Sequence, residues 1–160
     1  MSEEIDGFVY LDLDDFHRLA TQVLGVDDET VASVTDDALA GSALAAPAAG
    51  FGGEEKYPDL ATKVAVLLRA VAANHSLPDG NKRCGLLCAI LFADLNRQQW
   101  IAPASDAATG GEETEHIVVQ AAQRGAELIT LEELTSWVSD RLVPIDPPPE
   151  PWIRVIEVDE

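Results

Sequence analysis

Two long apolar stretches at helical spacing, interrupted by one polar and basic segment, constrain this chain more than any other feature. From Asp59 the apolar positions Leu60, Val64, Leu67, Leu68 and Val71 recur with the period of one helix face, and Pro58 is preset for a first turn. That helix is expected to end near Asn74. After Gly80 a second helix runs to about Gln98, apolar nearly all round through Leu86, Leu87, Ile90, Leu91, Phe92 and Leu95. A helix with no polar face belongs inside a protein, so this one is expected to form the axis of the core.

Around that pair the periodicity predicts an all-α helical bundle with a central buried helix. Phe8 to Leu11 reads as a short extended stretch, and Asp12 can cap a helix to about Leu24 with Leu13, Phe16, Ala20 and Val23 on one side. Asp27 to Ala46 fits one or two short helices closed by Pro47. Ala48 to Tyr57 holds Gly50, Gly52 and Gly53 and cannot be regular helix, so it is a flexible loop or a short β-flap. Trp100 to Gly111 is rich in helix breakers. Glu112 to Arg124 carries Ile117, Val118 and Ala121 at helical spacing and stops at Gly125. Thr130 and Glu133 form a capping box for a last helix, whose buried face is expected to hold Leu131, Leu134, Trp137, Val138 and Leu142. One domain over residues 1–143 is followed by a proline-rich connector and tail, residues 144–160, in which Trp152 to Val158 alternates enough to be a strand.

Composition excludes some functions. The 160 residues carry 29 acids against 10 bases, a formal charge of −19, and nucleic-acid backbones are bound through clustered Lys and Arg, so direct nucleic-acid binding is not expected. The longest apolar run, Cys84 to Ala93, is too short to span a bilayer, and no cationic leader opens the sequence; the expectation is a cytoplasmic protein with no membrane partner. Cys84 and Cys88 lie four apart on one helix face and read as buried packing. His17 and His116 fall in amphipathic helices without metal-ligand spacing and read as surface residues.

Chemistry concentrates in His75-Ser76-Leu77-Pro78-Asp79-Gly80-Asn81-Lys82-Arg83. A helix start behaves as roughly half a positive charge, so Lys82 and Arg83 in a first turn are misplaced by about 0.3 to 1 kcal/mol each. A bound anion reverses the sign. Free amides at that end, a Gly80 that lets the backbone approach closely and two cations make a phosphate cradle. Asn81 can cap the same helix. Asp79 is a hard carboxylate of the kind that holds Mg2+ on nucleotide phosphates, and the imidazole of His75 is suited to remove a proton from an attacking hydroxyl. Each residue also has a purely structural use: His75 can end one helix, Pro78-Asp79-Gly80 can be a turn and Asn81 only a cap.

The string resembles the signature of the Fic/Doc (Fido) family, His-x-Phe-x-(Asp/Glu)-(Gly/Ala)-Asn-(Gly/Lys)-Arg, with Leu77 where Phe is usual. The resemblance extends upstream through Phe51-Gly52-Gly53-Glu54 and Tyr57-Pro58, and more loosely from Tyr10 to about Trp137. It implies a Fido-type helical fold in which ATP and Mg2+ bind over the loop and a hydroxyl of a target protein attacks phosphorus. By position, His75 is then the general base, Asp79 the metal-binding acid, Gly80 and Asn81 the anion nest, and Lys82 and Arg83 the phosphate-contacting pair.

AMP-transferring members usually carry glycine at the position of Lys82, whereas the death-on-curing branch carries lysine. The resemblance therefore implies γ-phosphoryl transfer by a toxin-type kinase, with elongation factor Tu as the known class of target. Leu86 stands where the AMP-transferring enzymes have a second arginine, which agrees. The nearest approach to the family's inhibitory Ser/Thr-x-x-x-Glu-Gly/Asn pattern is Thr109 to Glu113, but Thr114 follows it, so restraint by a separate antitoxin chain is expected. Two alternatives stand beside this reading: protein AMP transfer, and a Fido-like binding module without turnover.

Overall fold

The computed structural model describes residues 3–5, 7–123 and 128–145, and within them the chain is mainly helical with three small two-stranded sheets. An N-terminal hairpin pairs β1 (Glu3–Ile5) with β2 (Phe8–Tyr10) and leads into α1 (Leu13–Leu24). The expected cap of α1 is present: Asp12 accepts from the Asp15 amide at 2.9 Å, and Asp15 accepts from the Asp12 amide at 3.0 Å. Two short helices follow, α2 (Asp28–Val34) and α3 (Asp37–Ala45), capped by the carboxylates of Asp27 and Asp36. Pro47 lies in a single 3-10 turn, Ala46–Ala48.

The glycine-rich stretch is a hairpin, β3 (Gly50–Phe51) with β4 (Glu54–Glu55). The two long helices come next, α4 (Leu60–Ala73) and α5 (Asn81–Leu95). They pack against each other along the centre of the molecule. Gly85 makes this possible: a Cβ there would lie 3.0 Å from the Leu68 carbonyl oxygen and 3.0 Å from Ala72, so the start of α5 rests directly on the end of α4. Phe16 of α1, Val31 of α2, and Leu134 and Val138 further along the chain close the core around Val64, Leu67, Leu68, Val71 and Phe92.

Of the pair, α4 is the more deeply buried, with Lys63 through Leu68 all enclosed, whereas Leu86, Leu87, Ile90 and Leu91 of α5 are only partly covered. The helical bundle expected around a central helix is present, with α5 burying Cys84, Gly85, Cys88, Ala89, Phe92 and Ala93 and α4 lying beside it at the centre. Of the partly covered residues, Leu86 and Ile90 line a groove, and Leu86 and Leu91 also pack against the core from outside. Cys84 and Cys88 are buried and unbridged, and a hydrogen bond to Cys84 together with burial pushes the Cys88 thiol pKa well up, in keeping with packing and not reactivity.

The chain leaves α5 earlier than its sequence pattern suggests. The Asn96 side chain accepts from the Val9 amide at 2.9 Å and donates to the Val9 carbonyl at 2.8 Å, and Arg97 takes a left-handed φ of 66°. Gln98, expected as the helix end, therefore starts a strand, β5 (Gln98–Trp100). After α6 (Asp106–Thr109), α7 (Glu112–Ala121) and α8 (Leu131–Ser139), the chain pairs back through β6 (Leu142–Pro144), with Trp100 opposite Leu142. Leu142 thus belongs to a strand and not to the last helix, whose capping box of Thr130 and Glu133 is present as expected. The helix expected to run to Arg124 stops at Ala121, with Ala122 as its C-cap, while the strand expected at Trp152 to Val158 lies outside the described residues. No helix among the described residues is long and apolar enough to cross a membrane.

Candidate active site

The loop between α4 and α5 is braced on both sides of His75. Before it, the Asn74 side chain donates to the Leu39 carbonyl of α3 at 2.7 Å; after it, the Ser76 carbonyl accepts from the Asp36 amide at 2.8 Å. Between these braces His75 holds a φ of 48°, a conformation that residues other than glycine adopt at a cost of about 1–2 kcal/mol. Leu77 is 4% exposed and anchors the loop in the core, so an aliphatic side chain does the packing.

Asn81 does not cap α5 as expected. It is the first helical residue, and its amide clasps the loop behind it, donating to the Leu77 carbonyl at 2.9 Å and accepting from the Leu77 amide at 3.0 Å. Gly80 takes the N-cap position with a φ of 79°, and among the described residues no side chain caps the amides that open the helix. A Cβ on Gly80 would lie 2.6 Å from Val23 Cγ1 of α1 and 3.5 Å from an Arg83 guanidinium nitrogen, so the turn fits tightly against the end of α1.

His75, Asp79, Gly80, Asn81 and Lys82 line one cavity of about 340 Å3, whose opposite wall is Val119, Ala122 and Gln123 at the end of α7. Arg83 does not line it. Arg83 and Lys82 both line a neighbouring, mostly apolar groove of about 610 Å3 between α5 and α7, floored by Leu86, Ile90 and Val118. Lys82 therefore borders both spaces. The imidazole, the carboxylate and both cations are exposed at the mouths of these two spaces.

The cavity can hold an anion at the uncapped helix start, with a base and an acid beside it. Among the described residues there is no group of three or more His, Cys, Asp or Glu side chains placed for a metal. Asp79 supplies a single carboxylate there, which does not make a free-standing metal site. It does suit Mg2+ that arrives on nucleotide phosphates and keeps several waters.

Glu113, the acid of the near-match to an inhibitory pattern, is engaged elsewhere. It accepts from the Trp137 indole at 2.9 Å and from the Ser105 hydroxyl at 3.0 Å, both remote from the loop in sequence. His17 bonds to Asp37 at 2.8 Å on the surface, and His116 is exposed, as expected for both. Sequence reasoning missed Asn74, Asp36 and the α7 wall. Asn74 carried only the ordinary signal of a helix end, and the other two are brought in by non-local packing.

The helical fold with its short hairpins and the loop at the start of α5 define a Fido-type protein, and the chain belongs to the Fic/DOC family, whose model matches residues 10–93. It is 37% identical over 93 residues to Toxin Doc of Mycolicibacterium smegmatis, a span covering 58% of this chain and 68% of that relative. No solved structure matches the chain significantly.

Proposed function

We propose that this chain is a Doc-like toxin of a toxin–antitoxin pair, a cytoplasmic transferase that moves the γ-phosphoryl group of ATP to a hydroxyl of a target protein. The observation that carries this reading is the common cavity of His75, Asp79, Gly80, Asn81 and Lys82 at an uncapped helix start. The likeness to Toxin Doc supports the toxin role and, with it, a separate antitoxin chain as restraint. The Glu113 contacts agree, since that carboxylate is already used within the fold. Elongation factor Tu is the target proposed, on the strength of the Doc resemblance.

In the reaction His75 removes the proton of the attacking hydroxyl. Its oxygen bonds to the γ phosphorus as the bond from phosphorus to the bridging oxygen of ADP breaks, and ADP leaves with that electron pair. The α5 amides and Lys82 face the oxygens on which negative charge is spread. Arg83, in the adjoining groove, is assigned to the rest of the phosphate chain. Mg2+, when bound through Asp79, supplies charge neutralisation between the phosphates. Lys82 favours γ transfer because a long cation crowds the position that an AMP-transferring enzyme leaves to the α and β phosphates.

The test is to incubate the chain with cell lysate and ATP labelled at either the α or the γ phosphate. Label from γ on a protein is expected, and His75→Ala should abolish it together with growth arrest while leaving thermal unfolding unchanged. Label from α establishes AMP transfer instead, no label leaves a binding module, and labelling retained by His75→Ala removes the base assignment.

A further inference from the structure

The cavity at the start of α5 has unlike walls. On one side the opening amides of α5 and the Lys82 ammonium are donors that suit phosphate oxygens. The other side is the end of α7, and a helix end presents carbonyl oxygens, the negative pole, which repel phosphate. No basic residue stands in the last turn of α7 to offset them.

The backbone donors of that wall are already used. The Ala122 amide donates to the Val118 carbonyl at 3.0 Å and the Gln123 amide to the Gln120 carbonyl at 3.3 Å, while the amide of Val119 lies within the helix. Val119 and Ala122 have apolar side chains. Of the described residues on this wall, only Gln123 therefore brings a further hydrogen-bond donor, its carboxamide. That group is neutral in a chain of 29 acids and 10 bases. The acids of α7, Glu112, Glu113 and Glu115, all stand in its first turn, away from the cavity. The wall is also fixed before any ligand arrives. Val118 and Ala121 are buried on its inner face, and at its start the Asp106 carboxylate accepts from the Glu113 amide at 3.0 Å.

We propose that Gln123 is a further catalytic residue: its carboxamide N–H donates to an oxygen of the transferring γ-phosphoryl group from the side opposite α5. This rests on the transfer reading above. A phosphoryl group in transfer spreads its charge over three equatorial oxygens set round the line of attack, so donors on α5 alone leave an oxygen facing away from them. With those donors on one side, that oxygen faces the α7 wall. The attacking hydroxyl has a single proton, which His75 takes, so Gln123 neither gives nor receives a proton. It supplies a hydrogen bond that strengthens as negative charge develops. Gln123 lies beyond residues 10–93, the stretch that the family model matches, so the contact comes from the part of the chain outside that match.

Two measurements on the full chain test this contact. In a nitrogen–proton correlation spectrum the Gln123 carboxamide signals, identified by their loss in Gln123→Ala, are expected to shift when a non-hydrolysable ATP analogue and Mg2+ are added. That readout does not depend on turnover. In the γ-label assay Gln123→Ala is expected to lower kcat about tenfold, and Gln123→Glu about a hundredfold, because the carboxylate removes the donor and adds repulsion. The KM for the protein substrate should stay within about twofold of native, and the melting temperature should not change. A Gln123 signal that the nucleotide leaves unmoved overturns the contact. Native kcat in Gln123→Ala overturns the catalytic role, and so does a raised KM for the protein at native kcat, which assigns the amide to the protein substrate instead. A lowered melting temperature that accounts for the lost labelling overturns it too. Should the native chain label no protein, the transfer reading fails and the catalytic role with it, while the spectrum still decides whether Gln123 meets the nucleotide.

Discussion

His75 keeps its left-handed backbone because Asn74 and Ser76 are both tied to the α3 region, by bonds of 2.7 and 2.8 Å. Strain at a single residue persists only where neighbours over-determine it, and such residues cluster at reactive sites. Gly80 is the second constrained position. Gly80→Ala would force a Cβ to 2.6 Å from Val23 at a φ of 79°, and we expect it to lose about 1–3 kcal/mol of stability in denaturant unfolding and nearly all γ labelling. Native-like unfolding with full labelling would show that the turn is not needed in this form. The residues His75 to Arg83 were legible in the sequence because a dense polar run between two apolar helices has few structural explanations. The direction of the Asn81 amide and the bond from Asn74 to Leu39 were not, because which backbone group a short amide reaches depends on segments up to 35 residues away.

At the level of elements, the contact between α4 and α5 sets the geometry of the loop. Gly85 lets the helices touch backbone to backbone, so Gly85→Val has to push them apart. We expect a loss of about 1–3 kcal/mol in unfolding free energy and a melting temperature lower by several degrees. Of the eight helices of the described residues, α1, α4, α5, α7 and α8 carry apolar residues at helical spacing, and α2 and α3 open on an acidic cap. Those signals are local, and the sequence carries them openly. The strands β5 and β6 and the single turn of α6 were missed for the opposite reason. Segments of three or four residues show no period, and the pairing of Gln98 with Pro144 is decided by distant contacts. Lys63 was missed as well, since a lysine at a helical position reads as solvated until its ammonium is seen buried, 3.1 Å from the Pro47 carbonyl and 3.0 Å from the Glu55 carboxylate.

For the whole molecule, a formal charge of −19 makes the folded state repel itself. Added salt screens that repulsion, so at pH 7 the melting temperature is expected to rise by about 2–6 °C between low and half-molar sodium chloride. A fall would mean that the ion pair at Lys63 and the helix caps outweigh the repulsion. Carboxylates bonded at the starts of α1, α2, α3 and α8 account for part of that negative charge and already neutralise the positive ends of their helices. Among the described residues, the start of α5 joins two cations, Lys82 and Arg83, to a helix end with no side-chain cap. On the proposed reading, a triphosphate would be repelled from most directions by this acidic surface, so discrimination would begin in the approach, before any atom of it touched the protein.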